Sequence, residues 1–209
     1  MEKLGRNAAL LVIDMQVGFD DRSWGARNNP TMEANVAALI AAWRAAEADV
    51  IHVHHDSPEP SSPLRPGTPG NAPKPEGAPL AGERIYRKSA NGAFIGTDLE
   101  EDLHELGIDT LAIVGLTTNH CISTTARMAG NLGFETLVVS DATAAFDRVD
   151  LGGRLRPAEE VHDAALSDLQ DEFAQVVETR ALLAALGSAA GAASKGARRP
   201  LRAGLPGLY

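Results

Sequence analysis

Short apolar runs alternate with helical segments along this chain, and that order leaves few folds open to it. Ala8–Ile13 reads AALLVI, a continuous apolar run typical of a strand buried on both faces of a parallel sheet. Asn29-Pro30-Thr31 opens a helix carrying Val36, Leu39, Ile40 and Trp43 at three- and four-residue spacing. Strands are expected at Val50–His55 and Arg84–Arg87, then a helix over Asp98–Leu106 that Gly107 closes. Thr110–Val114, a helix from about His120, and Glu135–Val139 make a further strand–helix–strand unit. A helix over Pro157–Phe173 starts with proline and acids in its first turn. A short strand, Gln175–Val177, precedes a last helix to about Leu186. The alternation predicts an α/β protein: a doubly wound parallel sheet of about six strands with helices on both faces.

A chain of 209 residues suits one such domain, expected over residues 1–187. Aromatics are only 4% of residues against 44% apolar overall, so aliphatic side chains must fill the core. Two segments break the pattern. Ser57–Glu83 holds eight prolines and four glycines, too broken for regular structure and long enough to suggest a functional loop. Residues 188–209 form an Ala/Gly-rich tail with Lys195, Arg198, Arg199 and Arg202 and no acids, read as a solubilising terminus. The net charge of −9 argues against a nucleic-acid or anionic-membrane partner. A single cysteine excludes an internal disulfide and fits a reducing compartment. Asp14 ends the first apolar run too early for a signal peptide, and no stretch approaches a membrane span, so a cytoplasmic protein is expected.

Ligands of open parallel sheets bind at the carboxyl ends of the strands. Asp14 follows the first strand, Lys88 the third, and Cys121 the strand at Thr110–Val114, so all three are expected at one rim. A carboxylate, an ammonium and a thiol make a coherent set of general base, electrostatic partner and nucleophile. Taken singly, Asp14 could cap a helix and Lys88 could be a solvated lysine; the coincidence at strand ends carries the signal. The strand-to-helix junction at Cys121 is expected to favour thiolate through the helix dipole, against an ordinary pKa of about 8.5.

LLVIDMQVGF (Leu10–Phe19), YRKSANGAFIGTDL (Tyr86–Leu99) and VGLTTNHCISTTARMAGNLGF (Val114–Phe134) resemble the isochorismatase-like cysteine hydrolases, which include nicotinamidases and N-carbamoylsarcosine amidohydrolases. The resemblance runs from about Ala8 to Leu186. It implies a sheet ordered 3-2-1-4-5-6 and a catalytic triad of Asp14, Lys88 and Cys121. It also implies a cis peptide at Leu116–Thr117 that aims the Thr117 and Cys121 amides into an oxyanion hole. The implied reaction cleaves a C–N bond of a small amide, carbamoyl or ureide substrate through a thioester, with no cofactor and in a homo-oligomer. Phe19 and Trp24 are expected to line the pocket or to pack.

The chain departs from some relatives. Where nicotinamidases carry Asp-x-His-Pro for a metal, this chain has His55-Asp56-Ser57-Pro58, and His52 and His54 face away from His55 on a strand. No metal is expected. The presence of Cys121 argues against vinyl-ether cleavage, which related isochorismatases perform without this cysteine. His120 could be a second base, and His162 is expected on the surface. Nicotinamidase proper, a non-catalytic ligand binder and a thiol sensor remain the alternatives; iodoacetamide labelling, an amide panel and peroxide titration separate them.

Overall fold

In the structure, a computed structural model that describes residue 4 and residues 7–196, six parallel strands form one sheet. These are β1 (Ala8–Ile13), β2 (Val50–His55), β3 (Arg84–Lys88), β4 (Thr110–Leu116), β5 (Glu135–Ala144) and β8 (Gln175–Val177), ordered β3-β2-β1-β4-β5-β8. The expected order therefore stands, with β8 as the sixth strand. Two strands absent from the sequence reading, β6 (Arg148–Val149) and β7 (Leu155–Arg156), make a separate antiparallel hairpin.

Alternation along each strand builds two cores. Leu10 and Val12 of β1, with Ala112 and Val114 of β4, face α1 (Met32–Ala45), which buries Val36, Leu39, Ile40 and Trp43. Ala9, Leu11 and Ile13 point the other way with Leu111 and Ile113. They meet α2 (Leu99–Glu105), α3 (Ser123–Asn131) and α4 (Ala158–Ser167) through Leu99, Leu103, Ala126, Ala129 and Leu166. Strands covered on both faces read as unbroken apolar runs for this reason.

Three helix expectations change. α4 stops at Ser167, short of the expected Phe173, and Asp171 takes a left-handed φ of 65° in the loop that follows. α5 (Thr179–Gly196) runs past Leu186. The helix expected from His120 instead begins as a π-helical turn, Thr118–Ile122, and becomes α-helical only at Ser123. Residues 197–209 of the basic tail lie outside the described residues. Among the described residues no helix is long and apolar enough to cross a membrane.

Segment 57–83 is closely packed, with 3-10 turns at Pro69–Asn71 and Pro75–Gly77. Gln16, fully buried, fastens it: Nε2 donates to the carbonyls of His55 and Asn71 at 3.0 Å each, and Oε1 accepts the His55 amide at 2.8 Å. Asn71 adds bonds to the His55 and Leu64 carbonyls and to Asp56 Oδ1. The loop thereby becomes a fixed wall beside the ends of β1 and β2.

Candidate active site

Asp14 leaves β1 with a φ of 51°, a left-handed conformation that aspartate tolerates better than most side chains. Its amide still bonds the Val53 carbonyl at 2.7 Å, so the turn comes one residue beyond the paired strand. Lys88 ends β3 in register with His55 of β2. Gly115 admits the approach of β4 to β1: at its φ of 115°, a Cβ would lie 1.9 Å from the Ile13 carbonyl oxygen. The Leu116–Thr117 peptide that follows is cis, and the Thr117 carbonyl accepts the His120 and Ile122 amides at 3.1 and 3.2 Å. This turn delivers Cys121.

The three expected residues meet. Lys88 Nζ donates to Asp14 Oδ2 at 2.8 Å and to Cys121 Sγ at 3.3 Å, with all three side chains buried. Sγ also lies 3.7 Å from Asn91 Oδ1. Oδ1 of Asp14 is buried with no hydrogen-bond partner among the described residues, so it is the oxygen free to accept a proton.

A fourth residue joins them. His55 Nδ1 accepts a bond from Lys88 Nζ at 3.2 Å, and the nearest ligand-type atoms of Asp14, His55 and Cys121 all lie within 4.8 Å of one another. His55, which the sequence reading did not place in the site, therefore belongs to it. The available signal was its placement opposite His52 and His54 at the carboxyl end of a strand between two strands bearing site residues. Burial, then the Lys88 charge, lowers the pKa of His55, keeping it neutral with Nδ1 as acceptor.

The charge state of Cys121 reverses the dipole expectation. Burial first, and then the Asp14 carboxylate, push the thiol pKa up to about 12, outweighing the opposing pull of Lys88. Burial raises the pKa of Asp14 against the pull of Lys88. The resting nucleophile is a protonated thiol beside a carboxylate, so the arrangement calls for proton transfer in concert with attack.

The residues do not fit a catalytic metal. Asp56, one residue out of register with the ligand positions of the metal-binding relatives, is held by Arg87 at 2.7 Å and by Asn71 at 3.0 Å. His54 lies on the other side of the strand, buried, with neither ring nitrogen partnered among the described residues. Among Asp14, His55 and Cys121, the position a cation would take holds the Lys88 ammonium, bonded to all three.

His120 and His162 take other roles. His120 Nε2 accepts from Asn119 at 3.2 Å and from Arg148 at 3.4 Å, leaving Nδ1 to donate to Thr117 Oγ1 at 3.2 Å. With its one lone pair engaged, His120 has none left for a second base. His162, expected on the surface, is buried, because α4 packs over the π-helical turn. Its Nδ1 meets Thr118 Oγ1 at 2.8 Å, three residues before the thiol. Trp24 lines a narrow cleft of about 40 Å³ with Thr117, His120, Phe146 and Arg148. Phe19 packs instead, buried with its ring centroid 5.0 Å from Trp24 and 6.3 Å from Phe146.

Residues 8–181 match the family model described as Isochorismatase domain. The isochorismatase family protein YrdC of Bacillus subtilis (strain 168) is 44% identical over 175 residues, 84% of this chain and 94% of that protein. Nicotinamidase 3 of Arabidopsis thaliana is 30% identical over 184 residues, 82% of this chain and 84% of that protein. A crystal structure of an isochorismatase-family protein from Chromobacterium violaceum ATCC 12472 superposes with a TM-score of 0.87. It is 44% identical in sequence, and the match covers 90% of this chain and 99% of that one.

Proposed function

The chain belongs to the isochorismatase family of hydrolases, and from that premise we propose that it is a cysteine hydrolase cleaving a C–N bond of a small amide, carbamoyl or ureide substrate. One observation carries the reading: a buried ammonium, Lys88 Nζ, lies 2.8 Å from a carboxylate and 3.3 Å from the only thiol, at the carboxyl-end rim of one sheet.

In the proposed reaction, Asp14 Oδ1 takes the thiol proton as Sγ attacks the carbonyl carbon. Lys88 stabilises the sulfur anion through that transfer. The carbonyl oxygen, now an oxyanion, is received by the Thr117 and Cys121 amides, and a preorganised donor of this kind contributes about 3–4 kcal/mol to barrier lowering. Asp14 returns its proton to the nitrogen as the C–N bond breaks, releasing ammonia or an amine and leaving a thioester on Cys121. Water then attacks the thioester carbon and gives its proton to Asp14. The C–S bond breaks, the acid departs, and the proton returns to sulfur.

The test is ammonia or amine release from nicotinamide, N-carbamoyl amino acids, ureides and lactams. At least one should turn over, and Cys121→Ser should abolish that turnover while leaving the thermal melt near wild type. Release by the serine variant at the wild-type rate would overturn the reading.

A further inference from the structure

The narrow cleft beside Thr117 adjoins a second cavity that the reaction does not use. Asn119 and Arg148 line both. The second cavity is about 480 Å³, within the range of small-molecule sites, and lies between the β6–β7 hairpin and the helices α3 and α4. Val149, Leu151, Val161 and Ala164 give it apolar walls.

Its charges do not balance internally. Arg148 makes no ion pair among the described residues; its guanidinium donates only to the neutral His120. Arg156 approaches Glu160 at 3.6 Å, beyond hydrogen-bond length, and its Nε is buried without a partner among the described residues. Arg127 stands 3.8 Å from Asp168 and stacks on Phe173. Of the two lining acids, Asp150 is already taken by Arg154 and by the Gly152 and Arg154 amides. A chain of net charge −9 thus gathers three arginines and two aspartates around a cavity that shares Asn119 and Arg148 with the cleft at Thr117, four residues before the nucleophile. The surplus matches one negative charge, and a planar guanidinium fork matches a carboxylate.

We infer that the substrate carries a carboxylate on an arm extending from the reacting amide, and that this arm lies in the hairpin cleft, read by Arg148 and Arg156. The inference rests on the proposed nucleophilic role of Cys121, and it narrows the substrate class to amides or ureides of an acid.

Two iodoacetamides, one bearing an N-carboxyalkyl arm and one the matching N-alkyl arm, test it on the intact protein. In each, the sulfur of Cys121 displaces iodide as the S–C bond forms, and the thiol proton passes to buffer. Intact mass reads the rate without ambiguity, because the chain has one cysteine. At low salt the acid reagent should react about tenfold faster than the neutral one, a gain that high salt removes. Arg148→Met and Arg156→Met should each lower the acid-to-neutral ratio several-fold, with melting curves checking the fold; Arg156, whose side chain is 40% exposed, serves if Arg148→Met unfolds. A wild-type ratio of one or below, or a ratio that survives both substitutions, overturns the inference alone. Failure of both reagents to label Cys121 would instead overturn the nucleophile reading beneath it.

Discussion

Replacing Asp14 with asparagine should make Cys121 more reactive toward a simple alkylating agent and less active in hydrolysis. The carboxylate and the sulfur lie within 4.8 Å. Two unit charges at that distance repel by about 3 kcal/mol at an effective dielectric of about 20, equivalent to about 2 pKa units. Asparagine removes that repulsion while keeping an oxygen for Lys88, so the thiol should fall from its value of about 12 by about that amount. The thiolate fraction near pH 8 then rises about 100-fold. Intrinsic nucleophilicity falls with basicity at a Brønsted slope of about 0.4–0.5, which leaves a net gain of about tenfold. The assay is the iodoacetamide rate constant from intact mass between pH 7 and 9, beside amide turnover under the same conditions. Turnover should drop by at least about 10³-fold, because the proton shuttle is gone. A slower alkylation in the asparagine variant would show that Asp14 favours the thiolate, and would refute the electrostatic argument.

Other parts of the structure give further tests. Burial, and then the Arg87 charge, holds His54 at about 4 instead of the ordinary 6.5. Below pH 6.5 the unfolded chain gains a proton that the fold resists, so about 3 kcal/mol of stability present above pH 6.5 is lost by pH 4. His54→Leu should remove that part of the pH dependence in urea titrations, and an unchanged slope would contradict it. Gly115→Ala should cost at least about 2–3 kcal/mol in the same titrations, since a Cβ would lie 1.9 Å from the Ile13 oxygen; a neutral substitution would show that the strands separate easily. Hydrolysis should survive EDTA dialysis, because the Lys88 ammonium holds the cation position among Asp14, His55 and Cys121. Activity lost on chelation and restored by zinc, iron or manganese would oppose this.

Much of the architecture was legible because apolar runs stop where the site begins. Ile13 gives way to Asp14, so the end of β1 could be read directly, whereas β4 carries on through Gly115 to Leu116, two residues past the expected Val114. What stayed hidden depends on three-dimensional neighbours. His55 and His54 differ only in parity along β2, and parity alone does not say which face turns toward Asp14. The π-helical turn at Thr118–Ile122 has no composition distinct from that of an α-helix. The hairpin strands are two residues each, too short for periodicity to mark them. The thiol's charge state turns on burial, which no local motif reports, and burial outweighs the helix end expected to stabilise an anion.

The most direct test of the account is a rapid acid quench of the enzyme during turnover of any amide it hydrolyses, followed by peptide mass analysis. The account predicts that the acyl part of the substrate is attached to the peptide containing Cys121. That adduct should be sensitive to hydroxylamine, as a thioester is, and absent from Cys121→Ala. Continued turnover in the alanine variant with no adduct at any quench time would contradict it.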